Sequence, residues 1–167
     1  MCSSDLVFAE LVEVFEAFYF GGDPDGDPSL WRGFIGAEPL LLDGTCFARL
    51  TNCGIAWGFV SGAEPPSCRF VLERRLGLAD PPLIAMGDAP DKPDPEGLIH
   101  LARRLLAQDG GGDLGPAAPP VAYLGDTVAD VETVMRARRQ MPDQRWLSLA
   151  VAPPHLGQAG EIGRAHV

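Results

Sequence analysis

The sequence predicts an α/β fold built around a parallel sheet. Short apolar runs at 54–60, 83–86, 121–124 and 145–151 alternate with stretches of helical periodicity. That order gives parallel strands joined by crossover helices. Gly 20 and Pro 16 supply well-marked breaks between the runs. The 167 residues fit one domain, and 46% apolar with 22% charged residues leaves enough for one core.

The elements follow in order. Over residues 7–20, Phe8, Leu11, Val12, Phe15, Phe18 and Tyr19 recur at i, i+3, i+4, i+7, i+10 and i+11, an amphipathic helix. Residues 21–28 are a loop dense in Gly, Pro and Asp, and Leu40, Leu41 and Leu42 are a short apolar run in a mixed stretch. Residues 54–60 are apolar throughout, as a strand buried on both faces is. Ser61-Gly62-Ala63 breaks that run, and 68–76 reads as a helix with Gly77 just past its end. Residues 83–86 form a second strand. Asp94 and Pro95 occupy N-cap and first-turn positions of a helix carrying Leu98, Leu101, Ala102, Leu105 and Leu106 on one face. After a Gly/Ala/Pro loop at 108–120, residues 121–124 form a third strand ending at Gly125-Asp126. A helix over 128–139 has Arg136, Arg138 and Arg139 in its last turn, where cations suit the dipole. Residues 145–151 are the last strand. Trp57 and Trp146 are core candidates, and no internal repeat is present.

The net charge of −10 argues against a nucleic-acid partner, whose phosphates require Lys and Arg. No apolar run approaches the ~20 residues of a membrane span. Cys2, Cys46, Cys53 and Cys68 form no C-x-x-C pair and read as small buried hydrophobes of a reducing, cytoplasmic setting. The oligomeric state is not legible.

The termini carry a separate signal. Glu161–Val167 back-translates as GAG ATC GGA AGA GCA CAC GTC, whose reverse complement contains GTG TGC TCT TCC GAT CTC. With GTG as start codon, that strand reads Met-Cys-Ser-Ser-Asp-Leu, the first six residues. Both ends resemble one sequencing adapter. The expectation is that 1–6 and 161–167 are adapter-derived and stand outside the fold.

Ligands of open α/β sheets bind beyond the carboxyl ends of the strands. Ser61 ends the first strand, and its hydroxyl with the amides of Gly62 and Ala63 can form an anion-binding nest. Lys92 follows the second strand in Asp-Lys-Pro-Asp-Pro, stiffened by its prolines. Asp126 ends the third strand, and Asp130, four residues on, falls on the same side of a first helical turn. Two such acids suit a hard cation such as Mg²⁺. His100 and His155 have no company that would make them ligands, and Asp94 fits an N-cap better than a catalyst.

Val-Ser-Gly-Ala (60–63), Lys-Pro-Asp-Pro (92–95) and Gly-Asp-Thr-Val-Ala-Asp (125–130) resemble, in order, the second, third and fourth motifs of the haloacid dehalogenase-like hydrolases, subfamily IA. The resemblance covers residues 54–151. It implies a three-layer Rossmann-like core over 31–160, with 7–30 the end of a helical cap and its return loop. It also implies a Mg²⁺-dependent phosphatase of a small phosphorylated metabolite, working through an aspartyl phosphate. Lys92 would neutralise nucleophile and phosphate, and Ser61 and Gly62 would bind the phosphoryl group. Asp126 would ligate Mg²⁺, and Asp130 would support it directly or through water. A non-catalytic phosphate-binding module on the same scaffold is the alternative. A dinucleotide site is disfavoured, since no G-x-G-x-x-G follows the first strand.

The family's first motif, Asp-x-Asp-Gly after a strand, has one textual counterpart, Asp23-Pro24-Asp25-Gly26. The preceding residues have helical rather than strand periodicity, and Gly21-Gly22 intervenes, so a turn is the better reading. Gly87-Asp88 also reads as turn chemistry. The expectation is therefore a fragment whose nucleophile strand lies upstream. Two strands flanking a gap, and an inactive chain, would follow.

Overall fold

The structure, a computed structural model, describes residues 8–108 and 110–151. The expectations for 1–6 and 161–167, and for Cys2 and His155, lie outside these residues.

Helix α1 (Phe8–Tyr19) forms where the periodicity places it, but none of its residues is buried. Phe8, Leu11, Val14, Phe15 and Phe18 stand exposed. Phe20, just beyond the helix, enters a cluster with Trp31, Ile35 and Phe70. The stretch read as mixed contains two helices. The short α2 (Phe34–Ala37) buries Ile35, and α3 (Gly44–Asn52) buries Phe47. Asp43 caps α3, accepting from Thr45 N at 2.9 Å and Cys46 N at 3.3 Å.

Strand β1 is only Phe59–Val60, and both residues are half-buried. The longer, doubly buried strand expected over 54–60 is corrected: Ile55 is exposed, and Trp57 packs against Phe47 and Phe59. The reason lies in the parallel partner β2 (Leu83–Ile84), which pairs Phe59 with Leu83 and Val60 with Ile84. Pro81 and Pro82 precede β2 and have no N–H to extend the ladder. Between the strands, α4 (Pro65–Arg69) opens on proline and runs into a π-helical turn, Phe70–Arg75. The helix expected over 68–76 thus starts earlier and is not α-helical throughout. Gly77 follows it with φ +70°.

The second half matches the periodicity closely. Helix α5 (Glu96–Gln108) buries Leu98, Ile99, Leu101 and Ala102 and packs on β1, β2 and the last helix, α6 (Val128–Gln140). Strands β3 (Val121–Gly125) and β4 (Trp146–Ala150) pair in parallel from Val121↔Trp146 to Gly125↔Ala150. Helix α6 (Val128–Gln140) covers them with Thr133, Val134 and Ala137. Leu98, Ile99, Ala102, Leu114, Val134, Ala137 and Trp146 form the main core.

Among the described residues the strands make two parallel pairs, β1–β2 and β3–β4, with no ladder between them. Phe59 N donates to Pro82 O and Ser61 N to Ile84 O, so strand alternation turns the amide and carbonyl of Val60 away from β2. The other face of β3–β4 carries exposed Leu124, Leu147 and Leu149.

Of the cysteines, Cys68 is buried and Cys46 half-buried, while Cys53 is exposed, contrary to the expectation that it is core. Cys53 caps the C-terminal end of α3 through its backbone N–H, and its side chain is exposed.

Candidate functional site

The site begins with the turn that opens α6. Thr127 is the N-cap and Asp130 the third residue, and the two close a capping box. Thr127 N and Oγ1 donate to Asp130 Oδ2 at 3.0 and 2.7 Å. Asp130 N donates back to Thr127 Oγ1 at 3.2 Å. Gly125 makes room for this turn at the end of β3. A Cβ on Gly125 would overlap Asp130 Cβ, Cγ and Oδ2.

The other carboxylate oxygen faces away from the helix. Lys92 Nζ donates to Asp130 Oδ1 at 2.7 Å, and the Tyr123 hydroxyl donates to the same oxygen at 3.1 Å. Asp130 is 4% exposed. Burial pushes its carboxyl up, but the hydrogen bonds from Lys92 and Thr127 outweigh that and hold it at about 2. Tyr123 is shifted upward, first by burial and then by the Asp130 charge.

Lys92 is the only lysine in the chain. Its side chain, 24% exposed, reaches from the loop after β2. It lines one small cavity with Ser61, Gly62, Ile84, Asp91, Asp94 and Gly97. The structure thus brings Ser61, Gly62 and Lys92 to one cavity and joins Asp130 to it through Lys92.

The predicted nest is smaller than expected. Ser61 Oγ accepts from Ala63 N at 3.1 Å, which turns that amide inward. The Gly62 amide has no partner among the described residues, and nothing lies within 4 Å of the position a Gly62 Cβ would take. Asp126 follows β3 directly, is exposed, and has no hydrogen bond among the described residues. No group of three His, Cys, Asp or Glu side chains among the described residues makes a metal cage.

Of the remaining candidates, Asp94 lines the same cavity and the others stand outside its lining. Asp23 makes a turn: Asp25 N donates to its Oδ1 at 3.0 Å, Gly26 N to its carbonyl at 3.1 Å, and Trp31 Nε1 to the same carbonyl at 2.8 Å. Asp88 closes another turn, accepting from Ala85 N at 2.9 Å. Asp94 accepts from Glu96 N at 2.9 Å, as a cap does, and His100 is exposed on α5. Sequence reasoning missed Tyr123 and Thr127. Thr127-x-x-Asp130 was readable as a capping box, whereas Tyr123 carries only the weak signal of a lone polar residue in an apolar strand.

Chemically, the arrangement sets one ammonium between a buried carboxylate and an open cavity bordered by a hydroxyl and a free amide. The ammonium and the amide attract an anion there, and the Asp91 and Asp94 carboxylates that also line the cavity oppose one.

Among solved structures, the chain resembles phosphatase Tt82 from Thermococcus thioreducens, with a TM-score of 0.62 and 23% sequence identity over 87% of this chain. The match covers 53% of that chain, so this chain spans about half its length. At this identity the likeness is one of fold: the chain has an α/β fold shared with a phosphatase. No protein-family model matches the chain, and no curated protein does.

Proposed function

We propose that this chain is the core of a Mg²⁺-dependent phosphatase of the haloacid dehalogenase-like superfamily, acting on a small phosphorylated metabolite through an aspartyl phosphate. One observation carries the reading: the single lysine stands between the buried Asp130 carboxylate and the cavity bordered by Ser61 and Gly62. The shared fold with a phosphatase supports it.

In this reading Ser61 and the Gly62 amide hydrogen-bond phosphoryl oxygens, and Lys92 supplies positive charge. That charge is needed. A dianionic phosphate about 4 Å from a carboxylate is repelled by roughly 8 kcal/mol at an effective dielectric of ~20. Asp130 is the fixed anchor from which the ammonium is aimed. The donor set fits a hard cation with one open ligand, the exposed Asp126 carboxylate. Both Asp130 oxygens are engaged by protein donors, so Asp130 would support the cation through its charge rather than as a direct ligand. Mg²⁺ is commonly held this way, by one or two carboxylates with water and substrate phosphate completing its shell. When bound it supplies further neutralisation of the phosphate.

The nucleophile is proposed to lie on a further strand between β1 and β3, which would join the two pairs into one parallel sheet at the centre of a three-layer core. The unjoined pairs and the outward-turned amide of Val60 support this. The turn hydrogen bonds of Asp23 speak against that residue. A cytoplasmic setting is part of the proposal; no helix among the described residues is long and apolar enough to cross a membrane.

The second reading, a phosphate-binding module without turnover, is favoured by the lack of an Asp-x-Asp pair at this cavity among the described residues. Hydrolysis of p-nitrophenyl phosphate with Mg²⁺, together with phosphate binding to the chain as it stands, tests both. Phosphate binding lost in Lys92→Gln supports the site. No binding in the parent chain would refute it.

A further inference from the structure

Tyr123 has no part in the chemistry above. It is the one polar side chain on β3, and strand alternation places it with Val121 and Gly125 on the half-buried face. Its hydroxyl lies 3.1 Å from Asp130 Oδ1 and 3.5 Å from the Val60 carbonyl. One hydroxyl has one proton. The charged acceptor at the shorter distance takes it.

Thr127 pins only Oδ2 of Asp130. A carboxylate held at one oxygen still swings, because the terminal torsion of aspartate is broad. A second fixed donor at Oδ1 removes that freedom. Lys92 cannot serve alone, since its stem is long and flexible.

We propose that Tyr123 is a positioning residue: its hydroxyl fixes Asp130 Oδ1, and that oxygen in turn fixes the Lys92 ammonium at the edge of the Ser61 cavity. The same bond keeps Oδ1 partnered when Lys92 turns toward an anion, which would otherwise leave the buried carboxylate with Thr127 alone, at Oδ2. Only this last consequence rests on the phosphatase reading. The positioning role rests on the hydrogen bonds alone.

A single lysine makes the test clean. Labelling with ¹⁵N-lysine gives one ε-ammonium resonance. Tyr123→Phe is expected to speed hydrogen exchange of that ammonium by about tenfold, the factor for one hydrogen bond to a charged group. Its backbone amide spectrum stays native away from β3 and α6. A tyrosine with a merely structural role lowers the melting temperature and leaves ammonium exchange in the folded protein unchanged. That result overturns the proposal. Should Tyr123→Phe not fold, 3-fluorotyrosine in otherwise unaltered protein decides. Lys92→Gln is expected to shift the fluorine signal of Tyr123 and leave that of Tyr19 in place, and an unmoved Tyr123 signal overturns the proposal. Inorganic phosphate added to the labelled parent separates the two ideas. If it fails to move the ammonium signal while Tyr123→Phe still speeds exchange, the phosphatase reading falls and the positioning role stands.

Discussion

Lys92 Nζ lies 2.7 Å from Asp130 Oδ1, joining the loop after β2 to the first turn of α6 across 38 residues of sequence. The pair is one of the ties between the two strand pairs, with Tyr123 reaching toward Val60 and α5 packing on β1, β2 and α6. Its neighbours set what each change should do.

Removing the ammonium leaves a buried carboxylate with Thr127 and Tyr123 as its remaining donors. Lys92→Met should destabilise the protein by about 2–3 kcal/mol in urea unfolding, below the full cost of an unpaired buried charge because those donors remain. Asp130→Asn in the same background should cost less than in the parent. A double-mutant cycle with zero coupling would contradict the pairing.

Stability at low pH should carry the mark of Asp130. Its folded carboxyl titrates at about 2, against 3.8 for an unperturbed aspartate. The native state therefore binds fewer protons than the unfolded state between these values. The contribution, about 2 kcal/mol, is complete above pH 4 and is lost as pH falls toward 2. Asp130→Asn should flatten that part of the acid limb. Equal acid limbs in both proteins would count against the ion pair.

Gly125 and Gly62 should respond oppositely to alanine. At Gly125 the added methyl overlaps Asp130, so Gly125→Ala should cost about 1–3 kcal/mol and release Lys92. At Gly62 the methyl meets open space, so Gly62→Ala should leave the melting temperature near that of the parent. Thermal unfolding of the two variants checks the contrast.

Asp23 should be silent in chemistry. Asp23→Asn is expected to leave phosphate binding unchanged, with at most a local loosening of the turn at Trp31. Mg²⁺-dependent turnover of p-nitrophenyl phosphate that vanishes in Asp23→Asn would make Asp23 the nucleophile.

The second half of the fold was legible because its signals are local. Leu98, Leu101 and Ala102 announce α5, and the apolar run at 121–124 announces β3 within a residue of its end. The gathering of Ser61, Gly62 and Lys92 at one cavity followed from their places after β1 and β2. Other features depend on partners far away in sequence. The short β1 reflects prolines preceding β2, and α3 hides its apolar face behind a single buried Phe47. The full engagement of Asp130 depends on Tyr123 and Lys92, which no spacing within its own motif reveals.

The most direct test of the site uses the chemistry of its one lysine. Acetylation of Lys92 by an amine-reactive reagent, followed by peptide mass analysis, should slow when inorganic phosphate is present and not when chloride replaces it at equal ionic strength. Phosphate in the cavity would hold the ammonium beside Ser61 and shield it. Equal acetylation rates in phosphate and chloride would contradict an anion site at Lys92.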